Sequence, residues 1–271
     1  MHEPITLLPE ALALLGAGLA ARLVNTLASS GSAISLPVLM MLGLSPLDAN
    51  ATNRLPVLFC SLMALRTFHA KAQVNWRAGI QAAIPATVGS VAGAVAAQMI
   101  SPGNMALVIT AAVLIALVLL LTKLRSALER PSNATPRIGK AGLVALLGVG
   151  FWLGFVVLDG NTYLLLVLIL MCRFDLIQAN ALKVLLLVAA TLVPIAIFAG
   201  SGSIRWTAAL LLSAGSIAGG YIGAWLTMRK RAKLWVFRTL IAVLLLEIVH
   251  LSMQYGGTFV TAAEQFMAAV R

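Results

Sequence analysis

Four short stretches hold residues whose types and spacing suit chemistry. Arg22 and Asn25 stand three apart in "LAARLVNTLASSG", on one helix face. Asn50, Asn53 and Arg54 lie in "LDANATNRL", Asp159, Asn161 and Thr162 in "VVLDGNTY", and Asn180 and Lys183 in "IQANALKVL". An ionisable side chain at the centre of a membrane helix costs about 2.5–3.5 kcal/mol on insertion scales, so it persists where it has a partner or a task. Cations among amides and hydroxyls suit the holding of a small anion, by charge complementarity at low dielectric. Arg54 and Lys183 lie about one turn inside their helices, with Arg22 as a further contributor or the partner of an acidic group. Ser30 and Ser32, in "SSGS", add neutral donors. Asp159 reads in two ways, as a proton-coupling carboxylate or as the N-cap of Asn161 and Thr162. Glu247 and His250, three apart, read as a local pair near a helix end and stay outside the site.

No metal, cofactor or catalytic constellation accompanies these residues. HExxH and GxSxG are absent, and "HE" at the start lacks its second histidine. Cys60 and Cys172 lie in or beside apolar runs without CxxC spacing and read as packing residues. An enzyme is therefore not expected.

The elements that must position this polar set are apolar. The 271 residues are 61% hydrophobic and 10% charged, with a mean hydropathy of +1.01, against about 25% charged in a soluble domain. The apolar runs are helix-length without alternation of period two, which predicts an all-α polytopic membrane protein rather than a β-barrel. The net charge of +11 sits mostly in connections between apolar runs, a topological bias that gives no reason to expect nucleic acid. The first ten residues lack the basic stretch of a cleaved leader, so the first segment is expected to remain in the mature chain.

Ten hydrophobic segments, of which eight to ten would be membrane elements, span residues 10–28, 32–43, 49–68, 78–100, 104–122, 141–158, 161–172, 178–199, 207–228 and 235–252. A polar connection with Pro131 and Pro136 divides the chain into a first repeat, 1–122, a cytoplasmic linker, 123–140, and a second repeat, 141–271. An offset of 130 gives 11 identities in the 46 positions 49–94, including Asn50 with Asn180, Trp76 with Trp206 and Gly89 with Gly219. Basic residues are rich in loop 66–77 and poor in its counterpart 196–207; they are absent from 95–104 and rich in 225–234. This reversal predicts two repeats of inverted topology with both termini outside. Segments 32–43 and 161–172 are too short for a straight span of about 20 residues, so half-helices or re-entrant elements are expected, their breaks lining something hydrated. The small-xxx-small glycines of segments four and nine predict close helix packing and no chemistry. Trp76 and Trp206 are expected to anchor helix starts at the interface.

The twofold order of break, short segment with proline, "ANATN" (49–53), "VNWR" (74–77) and "VGSVAGAVAA" (88–97), echoed by "QANALK", "SIRW" and "AGGYIGAWL", resembles the sulfite exporter TauE/SafE transporters. The usual glycine-rich stretch is reduced here to "SSGS" and "LDGN". The likeness covers nearly the whole chain and implies a multi-pass permease of the bacterial inner membrane. It would move a small organosulfur or related oxyanion, such as sulfite or an organosulfonate, most naturally outward. An anion channel or a carrier for a non-sulfur carboxylate is the alternative. Its partners would be the anion and the lipid bilayer, with a homodimer left open.

Overall fold

The structure is a computed structural model that describes residues 8–28, 31–71, 73–100, 136–157 and 160–227. Every regular element among them is helical: α1 (Leu8–Ala28), α2 (Ser32–Met41), α3 (Pro46–Thr52), α4 (Arg54–Ala70), α5 (Trp76–Gln98), α6 (Lys140–Phe155), α7 (Gly160–Leu166) running into a π-helical stretch (Val167–Met171), α8 (Leu176–Gly200) and α9 (Trp206–Thr227). Helices are what an apolar chain in lipid can form, because each satisfies its own backbone. Four of them, α1, α5, α8 and α9, are long and apolar enough to cross a membrane. Segments 104–122 and 235–252, most of the linker, Glu247 and His250 lie outside the described residues.

The two short segments are short in the fold as well. α2 has 10 residues, and α7 with its π-helical continuation has 7 and 5. At about 1.5 Å per residue neither approaches the ~30 Å hydrocarbon core. Segment three differs from its expected single helix: it is split into α3 and α4 at Asn53, which itself keeps right-handed helical angles (φ −67°, ψ −11°).

Local chemistry repeats at the 130-residue offset. Ser45 caps α3 by accepting from the Asp48 amide at 3.1 Å, and Asp175 caps α8 by accepting from the Gln178 amide at 2.8 Å. The chain leaves both half-helices through a left-handed residue, Gly43 (φ 84°) and Arg173 (φ 62°). Glycine takes that conformation without strain; arginine is an uncommon occupant.

Helix neighbours repeat in the same way. α1 packs along α9 and α6 along α5, while α9 also meets α4 and α5 meets α8; α4 and α8 meet each other. Exchanging the two copies turns α1–α9 into α6–α5 and α9–α4 into α5–α8, and leaves α4–α8 as itself, so that the first helix of each copy lies against the last described helix of the other. Glycines make the two long contacts close. A Cβ at Gly93 would land on the Phe151 carbonyl of α6, and one at Gly215 on the Leu15 carbonyl of α1. Trp76 and Trp206 sit exposed at the starts of α5 and α9, and Trp76 Nε1 donates to His69 Nδ1 at 3.3 Å.

Candidate functional site

The polar residues singled out in the sequence meet where the two breaks adjoin. α1 ends at Ala28 and α2 begins at Ser32; α6 ends at Phe155, Val156 is extended (φ −135°, ψ 130°), and α7 begins at Gly160. The breaks touch each other directly. Ser32 Oγ donates to the Val157 carbonyl at 3.4 Å, and Asn161 Nδ2 donates to Asn25 Oδ1. Arg22, Asn25, Ser32, Asn50, Asn53, Arg54, Asn161, Thr162, Asn180 and Lys183 are all buried. Ser30 and Asp159 lie outside the described residues.

Arg22 stands in the last two turns of α1 and reaches the first turn of α2. Its Nη2 donates to Ser35 Oγ at 2.9 Å and to Asn53 Oδ1. Ser35 Oγ itself donates to Asn53 Oδ1 at 2.8 Å, and Asn53 Nδ2 donates to Ser32 Oγ at 3.2 Å. The guanidinium is thus held by one edge, while Nε and Nη1 are buried with no hydrogen-bond partner among the described residues. The described carboxylates are Glu10, Asp48 and Asp175, and none of them pairs with Arg22. A buried cation in that condition is costly, and an anion is what would complete it.

Arg54 is used differently. From the first turn of α4 its Nη1 donates to the Leu153 carbonyl at 3.0 Å and its Nη2 to the Gly154 carbonyl, two of the orphan acceptors that a helix C-terminus leaves. The charge also opposes the negative end of the α6 dipole and lies 4.7 Å from the centre of the Phe198 ring. Asn50 completes that grip. Its Nδ2 donates to the Phe155 carbonyl at 3.1 Å and its Oδ1 accepts from the Val157 amide at 3.0 Å.

On α8, Asn180 stands at the counterpart of Asn50, and Lys183, the counterpart of Asn53, reaches α1. Lys183 Nζ donates to the Asn25 carbonyl at 3.4 Å. Asn180 Nδ2 donates only within its own helix, to the Leu176 carbonyl at 3.0 Å, and its Oδ1 is buried with no partner among the described residues. Three neighbours escaped the sequence reading. Ser35 was signalled by its spacing from Ser32 in "SAIS", one turn apart on one face. Thr26 Oγ1 donates to the Arg22 carbonyl at 3.0 Å and lies 3.7 Å from the Cys60 sulfur, and neither residue carried a signal beyond its polarity in an apolar run.

This arrangement offers charge, directed N–H groups and a low dielectric. The family model described as Sulfite exporter TauE/SafE matches residues 14–253. A relative from Sinorhizobium sp, named Probable membrane transporter protein ORF9, is 26% identical over 213 residues, which is 78% of this chain and 80% of the relative. A Probable membrane transporter protein of Haemophilus influenzae is 28% identical over 214 residues, 79% of this chain and 83% of its own length. Probable membrane transporter protein YfcA of Escherichia coli K12 is 25% identical over 212 residues, 78% of each chain. No solved structure matches significantly. With helices of membrane-crossing length and a match over residues 14–253, the chain belongs to the sulfite exporter TauE/SafE family of membrane transporters.

Proposed function

We propose that the protein is a secondary carrier for small organosulfur or related oxyanions, sulfite or an organosulfonate, working outward across the bacterial inner membrane. The observation that carries this reading is Arg22, whose buried Nε and Nη1 have no acceptor among the described residues, beside the first turn of α2. The unsatisfied N–H groups and positive end of that half-helix favour an anion at the same point. Ser32, Asn53 and Asn161 surround it with neutral hydrogen-bonding groups, and Asn25 and Thr162 lie beside them. Arg54 and Lys183 contribute field from their helix ends, and Asp159 is the proposed coupling carboxylate. The two copies are proposed to lie with inverted topology, which places the seam of the breaks near the bilayer midplane.

The test is counterflow of radiolabelled sulfite in proteoliposomes, with unlabelled sulfite, ethanesulfonate and acetate as competitors. Saturable uptake that ethanesulfonate displaces and Arg22→Gln abolishes supports the reading. Uptake that Arg22→Gln leaves intact overturns it.

A further inference from the structure

We propose that Asn50 and Asn180, equivalent at the offset of 130 and accompanied by the buried cations Arg54 and Lys183, which are not themselves counterparts, form two backbone clamps that close in turn during the transport cycle. In the present conformation the first clamp is closed and the second half made. The proposal rests on the transport reading above and assigns these four residues a positioning role, each gripping the broken helix of the other copy.

The offset of 130 makes the comparison atom by atom. Asn50 holds the Phe155 carbonyl and the Val157 amide, whose counterparts are the Asn25 carbonyl and the Leu27 amide. The counterpart of Asn50 is Asn180, which is also fully buried, with no hydrogen-bond partner for its side-chain oxygen among the described residues. Lys183 has already taken the Asn25 carbonyl. What separates the two sides is one turn of helix. α6 stops at Phe155, its C-cap Val156 is extended and Val157 lies outside the helix, its amide free for capture by Asn50, whereas α1 continues to Ala28, so that Leu27 lies within the helix.

Symmetry at the level of sequence and asymmetry at the level of hydrogen bonds together define a second arrangement. In it, residues 26–28 unwind, Asn180 Oδ1 accepts from the Leu27 amide, and Asn180 Nδ2 moves from the Leu176 carbonyl to the Asn25 carbonyl. Val156 and Val157 wind onto the end of α6, and the clamp of Asn50 is left half made. The exchange trades one asparagine clamp and one helical turn for their counterparts, which favours two states of similar energy. The exchange also moves the α2 start and Arg22, one turn away, relative to α6, so the anion site opens on different sides in the two states. Buried amide oxygens are rarely left unsatisfied, and an orphan that is filled in the alternate state accounts for this one.

Hydrogen–deuterium exchange of the purified full-length protein in detergent, read on peptides covering 23–31 and 153–161, tests this without any substrate. Asn50→Leu opens the first clamp, and the expected result is slower exchange in 153–161 with faster exchange in 23–31. A purely structural role for Asn50 gives faster exchange in 153–161 and no change in 23–31, and that result overturns the proposal. Asn180→Leu loses only a bond within its own helix in the present state, so it is expected to fold as the parent does. In the counterflow assay its half-saturation for sulfite should be unchanged and its maximal rate reduced about tenfold or more, the effect of losing a buried hydrogen bond formed in only one of two states. Parental turnover in Asn180→Leu overturns the proposal even if Asn50→Leu fails to fold. If the parent moves no sulfite, the substrate assignment fails and the exchange experiment alone decides the clamps.

Discussion

Arg54 Nη1 donates at 3.0 Å to the carbonyl of Leu153, 99 residues further along the chain. With the bond from Nη2 to Gly154 it caps the end of α6, a contact the sequence did not announce. Arg54→Met strands both carbonyls and removes the contact with Phe198. Each hydrogen bond to a charged group is worth about 1.5–3 kcal/mol, and relief of the buried charge offsets part of that, so a net loss of about 2 kcal/mol is expected. Arg54→Lys can satisfy one carbonyl and should fall between. Thermal midpoints in detergent, followed by size-exclusion chromatography after heating, check this order. A midpoint for Arg54→Met at or above that of the parent removes the capping role.

Arg22 should behave in the opposite sense. Its charge is buried and only one edge of the guanidinium is bonded, so Arg22→Met removes desolvation cost along with two hydrogen bonds. The expected midpoint is equal to or higher than the parent's, while sulfite uptake disappears. Such a gain in stability with loss of function is typical of a site held in readiness for a ligand. The measurement is the same melt paired with counterflow, and a fall of the midpoint comparable to that of Arg54→Met contradicts it.

A linked outcome concerns the anion itself. A ligand that binds only the folded state raises stability by RT ln(1 + [L]/Kd), about 2.7 kcal/mol at one hundred times Kd. Sulfite added to the parent should therefore raise the melting midpoint in a concentration-dependent way, and it should leave Arg22→Met unmoved. An equal rise in both proteins would mean that the anion acts elsewhere or as a general salt.

The contrast between Arg22 and Arg54 marks how far the sequence could be read. Composition and run length were enough for an all-helical membrane protein, because lipid forces backbone groups to pair within each segment. Short runs beside "SSGS" and "LDGN" were enough for half-helices at 32–41 and 160–171, and the buried cations stood out against their apolar neighbours. What the cations touch was not legible. The partners of Arg54 and Lys183 are backbone carbonyls of the other copy, which have no identity in a sequence, and they lie 99 and 158 residues away. The same holds for Asn50, read as a donor for substrate, whose amide is bonded at both ends to the α6 break. Nor could the split of segment three at Asn53 be seen, since "ATNRLP" carries no residue that must leave the helical region there.

Glycines in the two long contacts should be intolerant in proportion to what a side chain would meet. At Gly93 a Cβ collides with the Phe151 carbonyl, and at Gly150 with the Ala86 carbonyl, whereas at Gly16 nothing lies within 4 Å. Backbone on both sides cannot yield, so Gly93→Leu and Gly150→Leu should push α5 from α6 and abolish the folded monodisperse protein. Gly16→Leu, on the same kind of helix but facing open space, should express and melt like the parent. Fluorescence-detected chromatography of all three in parallel reads the difference, and a well-folded Gly93→Leu would show that α5 and α6 do not approach as closely as described.

The inverted topology of the two copies can be settled at one pair of equivalent positions. Lys71 follows α4 and Ser201 follows α8, both exposed, and they differ by the same offset of 130 that relates the two copies. If the copies are parallel, cysteines at these positions are reached from the same side of the membrane. If inverted, Lys71→Cys reacts with a membrane-impermeant maleimide only after the cells are opened, and Ser201→Cys reacts in intact cells, because the basic loop holding Arg66, Lys71 and Arg77 stays in the cytoplasm. Cys60 and Cys172 are buried and should give little background. The inverted result is the expected one, since only then do the two half-helix starts approach the seam from opposite faces with their positive ends toward a shared anion. Labelling of both positions from the same face would separate the cation cluster from any alternating mechanism built on exchange between copies.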